Sequence, residues 1–174
     1  MTMTVRDDFS VLGFDPGISA KNGTGVALVR ASDKSVLYRH FVVVQGDTDT
    51  DKLSAVFTAL SEEFIVAREV ATRNASPLQT VVYELPIMGP GNMRTLNALG
   101  RLCGIIHALA LTYLPSSGLV IEVAPATVKK KFAGHGAAKK VDMRAAYVEL
   151  YGSDIAITEG EIDAVAIAHC GLRT

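Results

Sequence analysis

Five carboxylates stand where packing alone would not put them. Asp15 follows the apolar run Val11-Leu12-Gly13-Phe14 and is followed at once by Pro16-Gly17. Glu84 closes a second apolar run, Val81-Val82-Tyr83, and Leu85-Pro86 ends it. Glu159, Glu161 and Asp163 open the last helical stretch, 159–172. An ionised group is costly to take out of water unless it is paired or metal-bound. Carboxylates closing two buried strands, beside an acidic helix start, therefore point to an oxygen-ligand site for Mg²⁺ or Mn²⁺. Such a site is the electrostatic centre of metal-assisted phosphodiester hydrolysis.

A second group is basic. Lys129, Lys130, Lys131, Lys139, Lys140 and Arg144 fall within sixteen residues of a chain whose net charge is −1. That strip fits either a polyanion engaged on one face or a solvated, charged helix edge. Ile87-Met88 reads as an apolar loop tip among Pro86, Gly89, Pro90 and Gly91, free to make a contact or to pack on the next helix. His107 and His169 lie on apolar helical stretches and read as core histidines. His135, between two glycines and close to the lysines, is the histidine best placed for a role.

The elements that must position these groups follow from periodicity. Residues 11–15, 23–30 and 35–45 read as three strands joined by turn-forming Lys21-Asn22-Gly23 and Ser32-Asp33-Lys34, hence an antiparallel meander. Residues 50–73 have helical spacing of Leu53, Val56, Phe57, Leu60, Phe64 and Ile65. A short buried strand at 80–84, an apolar helix at 96–114, a fifth strand at 119–123 and helices at 139–150 and 159–172 complete the chain. The expected fold is α/β: a mixed five-stranded sheet, three strands antiparallel and then parallel, with helices on both faces. Asp15 and Glu84 become neighbours if the first and fourth strands pair in parallel.

At 174 residues, 49% hydrophobic, with a mean hydropathy of +0.28, the chain can bury a core as a single domain over 11–174, after a flexible stretch at 1–10. No uninterrupted apolar run reaches the ~18 residues of a membrane span, and the first ten residues lack the apolar centre of a signal peptide. Cys103 and Cys170 have no metal-like spacing and read as buried free thiols of a cytoplasmic protein rather than as a disulfide.

Several motifs in order carry a family resemblance. Phe14-Asp15-Pro16-Gly17 with Gly23-Thr24-Gly25-Val26-Ala27, then Val81-Val82-Tyr83-Glu84, then Asn92 with Leu96, Leu99, Gly100 and Gly104 form its first half. Pro125-Ala126-Thr127-Val128-Lys129, Gly134-His135-Gly136-Ala137-Ala138-Lys139-Lys140 and Asp163-Ala164-Val165-Ala166-Ile167-Ala168 form its second. Across residues 11 to about 170 the chain resembles RuvC-type Holliday junction resolvases of the ribonuclease H-like superfamily. One departure stands out. The family usually carries an acid or a histidine three positions before the final Asp, and here that position is Gly160.

The resemblance implies a metal-dependent, structure-selective DNA endonuclease that resolves four-way junctions by paired symmetric nicks. It implies two Mg²⁺ per active site, with Mn²⁺ as a substitute, and a homodimer in the bacterial cytoplasm or, for a phage-encoded enzyme, that of its host. Asp15 would bridge the metals, and Glu84 and Asp163 would each hold one. Likeness to phage-type members favours Glu161, and it is the expected fourth ligand; helix geometry makes Glu159, four residues from Asp163 and on its face, the alternative. Lys129 and Lys140 match lysines that contact DNA and assist at the scissile phosphate. Lys130, Lys131, Lys139 and Arg144 would add phosphate contacts, and Ile87 falls where an apolar residue inserts at the junction centre. A branch-migration motor is left open as a further partner. Two other readings keep the fold: an RNA-processing nuclease, or a junction binder that has lost cleavage with the missing ligand.

Overall fold

The computed structural model describes residues 8–18, 23–46, 48–86, 93–154 and 156–172. Strands β1 (Ser10–Asp15), β2 (Thr24–Arg30) and β3 (Val36–Val42) form the antiparallel meander. After helix α1 (Asp49–Arg73), strand β4 (Leu78–Glu84) pairs in parallel with β1, and β5 (Leu119–Val123) in parallel with β4. The sheet order is β3-β2-β1-β4-β5, so the strand that ends in Asp15 is central. Helix α2 (Met93–Tyr113) links β4 to β5, and α3 (Pro125–Ala133), α4 (Lys140–Tyr151) and α5 (Glu159–His169) follow.

Alternation along the strands sorts the core into two layers. Leu12, Phe14, Val26, Leu28, Val81 and Tyr83 face α1 and α2. Val11, Ala27, Val29, Val82 and Val123 face the layer of α3, α4 and α5. On the first side, α1 buries Val56, Leu60, Phe64, Ala67 and Ala71, a stripe with spacings of four, four, three and four. The Phe64 ring stacks between Phe14 at 5.2 Å and Tyr113 at 5.4 Å. On the second side α5 lies against bare backbone. A Cβ on Gly13 would stand 2.3 Å from the Ala164 carbonyl oxygen, and one on Gly25 would stand 2.0 Å from that of Gly160. Both contacts require glycine, and they set α5 deep on β1 and β2.

Two expectations change. The sequence predicts no helix between β5 and α4, yet Pro125–Ala133 is helical. Pro125 supplies the preset φ of a first helical turn, and Gly134 at φ 84° ends the helix in the left-handed region. By length and composition α2 alone among the described helices could cross a membrane, which counting uninterrupted apolar residues does not detect. One side of α2 is docked, with Leu102, Cys103, Ile106, Leu109 and Ala110 buried. Cys103 and Cys170 are buried free thiols, as expected.

Candidate active site

The period of two that builds the core also delivers the acids. Counting along β1, Asp15 shares a face with Val11 and Gly13; along β4, Glu84 shares one with Thr80 and Val82. Phe14 stands opposite Tyr83 in the parallel pair, so Asp15 and Glu84 are the next residues on neighbouring strands. The third acid comes from α5. Asp163 immediately precedes Ala164, whose carbonyl oxygen lies over Gly13. All three line one cleft of about 660 Å³, whose other walls include Pro86, Leu99, Pro125 and the lysines 129, 139 and 140.

The acids lie half-buried on the cleft floor, and they raise one another's proton affinity. Burial, then the charges of Asp163 and Glu84, push the Asp15 carboxyl up to about 8 against a pull from Lys140. Burial and Asp163 push Glu84 up to about 7, with Lys129 opposing. Asp163 is raised chiefly by burial and further by Glu159, while Lys140 and Lys129 lower it. Such a group of carboxylates lacks positive charge. Among the described residues no three His, Cys, Asp or Glu side chains are drawn close enough to hold a metal ion unaided. Mg²⁺ keeps several waters and takes one or two carboxylates together with substrate phosphates. An all-oxygen donor set short of cationic charge therefore fits a hard divalent ion.

The lysines divide. Lys129, Lys139 and Lys140 line the cleft. Lys131 instead donates from Nζ to the Cys170 carbonyl at 3.3 Å, and Arg144 donates to the Ile157 carbonyl at 3.2 Å. Lys130 is exposed and is not among the residues that line the cleft. Ile87 lies outside the described residues. His135 is exposed, 4.0 Å from an Asp142 carboxylate oxygen. His107 bonds Tyr83 Oη at 2.9 Å, and His169 bonds Tyr151 Oη at 2.5 Å.

Glu159 and Glu161 also part company. Thr158 caps α5, its Oγ1 accepting from the Glu161 backbone N–H, and Glu161 Oε2 accepts from the Thr158 N–H and hydroxyl at 2.8 Å each. Arg39 Nε lies 3.4 Å from the other Glu161 oxygen, and Arg39 Nη2 lies 2.5 Å from Asp154. Glu161 is thus occupied in starting the helix. A threonine followed three residues later by a glutamate, ahead of an apolar run, is the sequence signature of such a capping box. Glu159 is exposed, pairs with Lys140 and acts on Asp163 through its charge.

Gly160 has a steric cause that sequence reasoning missed. A Cβ there would lie 2.4 Å from a ring carbon of Phe41, and the Gly160 carbonyl occupies the space over Gly25. Phe41 on β3 fills the room that an acid at this position would need. Arg39, two residues before it, holds the helix start through Glu161 and Asp154.

A meander of three antiparallel strands continued by two parallel ones, with acids at the ends of β1 and β4 and on a helix across them, defines a ribonuclease H-like nuclease. A family model for the crossover junction endodeoxyribonuclease RuvC matches residues 11–171, and the chain belongs to that family. A relative of the same description from Legionella pneumophila is 25% identical over 163 residues, covering 92% of this chain and 84% of its own. In fold, the chain is similar to Thermus thermophilus RuvC, at TM-score 0.69 and 22% identity with 92% of each chain covered. The Thermus protein in complex with a Holliday junction substrate matches at the same score, with 92% and 91% covered. The yeast mitochondrial Holliday junction resolvase Ydc2 matches at 0.53 and 13% identity, over 91% and 75%.

Proposed function

We propose that this protein resolves four-way DNA junctions as a homodimer, using two divalent metal ions held by Asp15, Glu84 and Asp163. The observation that carries the reading is the convergence of three carboxylates, each with raised proton affinity, in a cleft rimmed by three lysines. Family membership supplies the reaction, and a Thermus relative of the same fold is known with a junction substrate. Mg²⁺ or Mn²⁺, when bound, supplies Lewis acidity at the scissile phosphate and makes water a stronger nucleophile.

The chain's own residues do the rest. Asp15 stands on the central strand and feels the charges of both Asp163 and Glu84, so it is the acid that both ions would share. Glu84 and Asp163 flank it from β4 and α5. Lys129 and Lys140 offset the charge of the incoming phosphate, each a compact point charge. Pro86 and Leu99 give the cleft apolar walls that limit water around the reacting group. Glu159, rather than Glu161, serves as the fourth acid: it acts electrostatically on Asp163, while Glu161 is committed to the helix cap and Arg39.

Dimerisation is supported by α2. Gly100 and Gly104 have open space above them, and Met93 and Leu111 on the same helix are exposed apolar residues. A two-fold assembly suits a substrate that needs two symmetric cuts. Cleavage of an end-labelled four-way junction beside linear duplex, with and without Mg²⁺, tests the function. Paired symmetric nicks confined to the junction, dependent on metal and lost in Glu84→Gln, are expected. Binding of the junction without nicking in Mg²⁺ or Mn²⁺ would leave an inactive binder, and cleavage of structured RNA alone would make the protein an RNA nuclease.

A further inference from the structure

A second concavity lies on the other flank of α2. Leu53 of α1 and Arg94, Asn97, Ala98 and Arg101 of α2 line a groove of about 320 Å³. Arg94 and Arg101 are seven residues apart and so share a helix face two turns long. Both are exposed, as is Asn97 between them. The first turn of α2 carries no acid, so the positive end of its dipole is not offset within the helix itself.

The groove adjoins the catalytic cleft. Leu99 lines the cleft, while Ala98 and Asn97, its immediate neighbours in the chain, line the groove. The first turns of α2 thus form a ridge between the two concavities. A helix with its side chains is about 10–12 Å across, and a duplex strand rises about 3.4 Å per nucleotide. A strand with one phosphate in the cleft therefore brings a phosphate about three nucleotides further along to the groove. Two guanidiniums in one open channel suit phosphate oxygens, because arginine forks onto them.

We propose that the α1–α2 groove is a second DNA contact, in which Arg94 and Arg101 bind the phosphate backbone of one junction arm about three nucleotides from the cut. This rests on the proposed function above and deepens it. The basic strip of α3 and α4 borders the cleft from one side, and the groove extends the positive track to the other.

The test is the salt dependence of four-way junction binding by the full chain, with Ca²⁺ replacing Mg²⁺ to hold off cleavage. Wild type is compared with Arg94→Gln/Arg101→Gln, with sedimentation to follow dimer content and ethylation interference to locate contacts. Loss of two phosphate contacts lowers the slope of log K against log salt by about 1.8. We expect that drop, an affinity loss of about tenfold or more at 0.1 M salt, and disappearance of interference about three nucleotides from the cut. Unchanged slope and affinity in the variant, beside a wild type that binds, would overturn the groove and leave the nuclease reading standing. Weakened binding that tracks loss of the dimer would overturn it too. A wild type that binds no junction would bring down the underlying function itself.

Discussion

Glu63 and Asp15 are both carboxylates folded into protein, yet the molecule treats them in opposite ways. Glu63, on α1 at the edge of the sheet, is only 7% exposed. It accepts from Tyr38 Oη at 2.8 Å, and its second oxygen lies 2.7 Å from His40 Nδ1. Asp15, at the centre of the sheet, opens onto a cleft, where burial and then the charges of Asp163 and Glu84 raise its proton affinity, with Lys140 a weaker offset. The first acid is satisfied and closes a helix onto an edge strand. The second is left wanting a cation. Burial alone therefore does not mark a site; burial among like charges does.

The largest expected effect removes the unsatisfied member. Asp15→Asn should lower junction cleavage by about a thousandfold or more while stabilising the metal-free protein. The sign follows from linkage. With its pKa raised from 3.8 to about 8, folded Asp15 holds a proton that the unfolded chain releases, so stability falls as pH rises through that window. Metal-free wild type should lose thermal stability between pH 5 and 8. The Asn variant should lose less, with a melting temperature higher by about 3 °C or more at pH 8. A melting temperature that Asp15→Asn lowers at pH 8 would put Asp15 in the same class as Glu63, and an unchanged one would contradict the strain assigned to it.

The satisfied acid should respond in reverse. Glu63→Gln is expected to cost about 1–3 kcal/mol, because Tyr38 and His40 lose a charged acceptor in a buried setting. Cleavage by the fraction still folded should be unchanged. Urea melts and single-turnover cleavage on the same samples separate the two quantities.

Gly160→Asp probes the boundary between the two regions, where Phe41 from the edge meets the helix that carries Asp163. Forcing a side chain against that ring should cost about 1–3 kcal/mol. Phe41→Ala in the same chain should recover most of the loss, and a double-mutant cycle on melting free energies measures the coupling.

The smallest effects distinguish two neighbouring acids. Glu161→Gln should lower stability by about 0.3–1.5 kcal/mol through the helix cap and leave metal affinity nearly intact. Glu159→Gln should leave stability alone and weaken metal binding by about tenfold. Calorimetric metal titration paired with thermal melts reads both.

Much of the candidate site is legible in the chain. Asp15, Glu84 and Asp163 can be read because a carboxylate after an apolar run, or ahead of an apolar helix, breaks local pattern for no packing gain. The meander and the parallel return follow from turn residues and strand lengths. Helix α3 is hidden because its lysines read as a basic segment, although Pro125 and Gly134 bracket it. Thr158 and Glu161 carry a capping signature that competes with ligand chemistry for the same residue. Phe41 against Gly160, by contrast, joins residues 119 positions apart, and no local pattern encodes so distant a contact. Lys131 and Arg144 likewise belong by spacing to the basic strip, but fold onto the carbonyls of Cys170 and Ile157.

Whether acids from β1, β4 and α5 form one metal site is decided by titration of free Mn²⁺, followed by electron paramagnetic resonance at pH 7. Wild type would be measured against Asp15→Asn, Glu84→Gln, Asp163→Asn, Glu161→Gln and Glu63→Gln. Each of the first three variants is expected to weaken Mn²⁺ binding by about tenfold or more, and the last two to match wild type. Binding that survives Asp15→Asn or Asp163→Asn, or that is lost with Glu161→Gln, would contradict a single site built from those three elements.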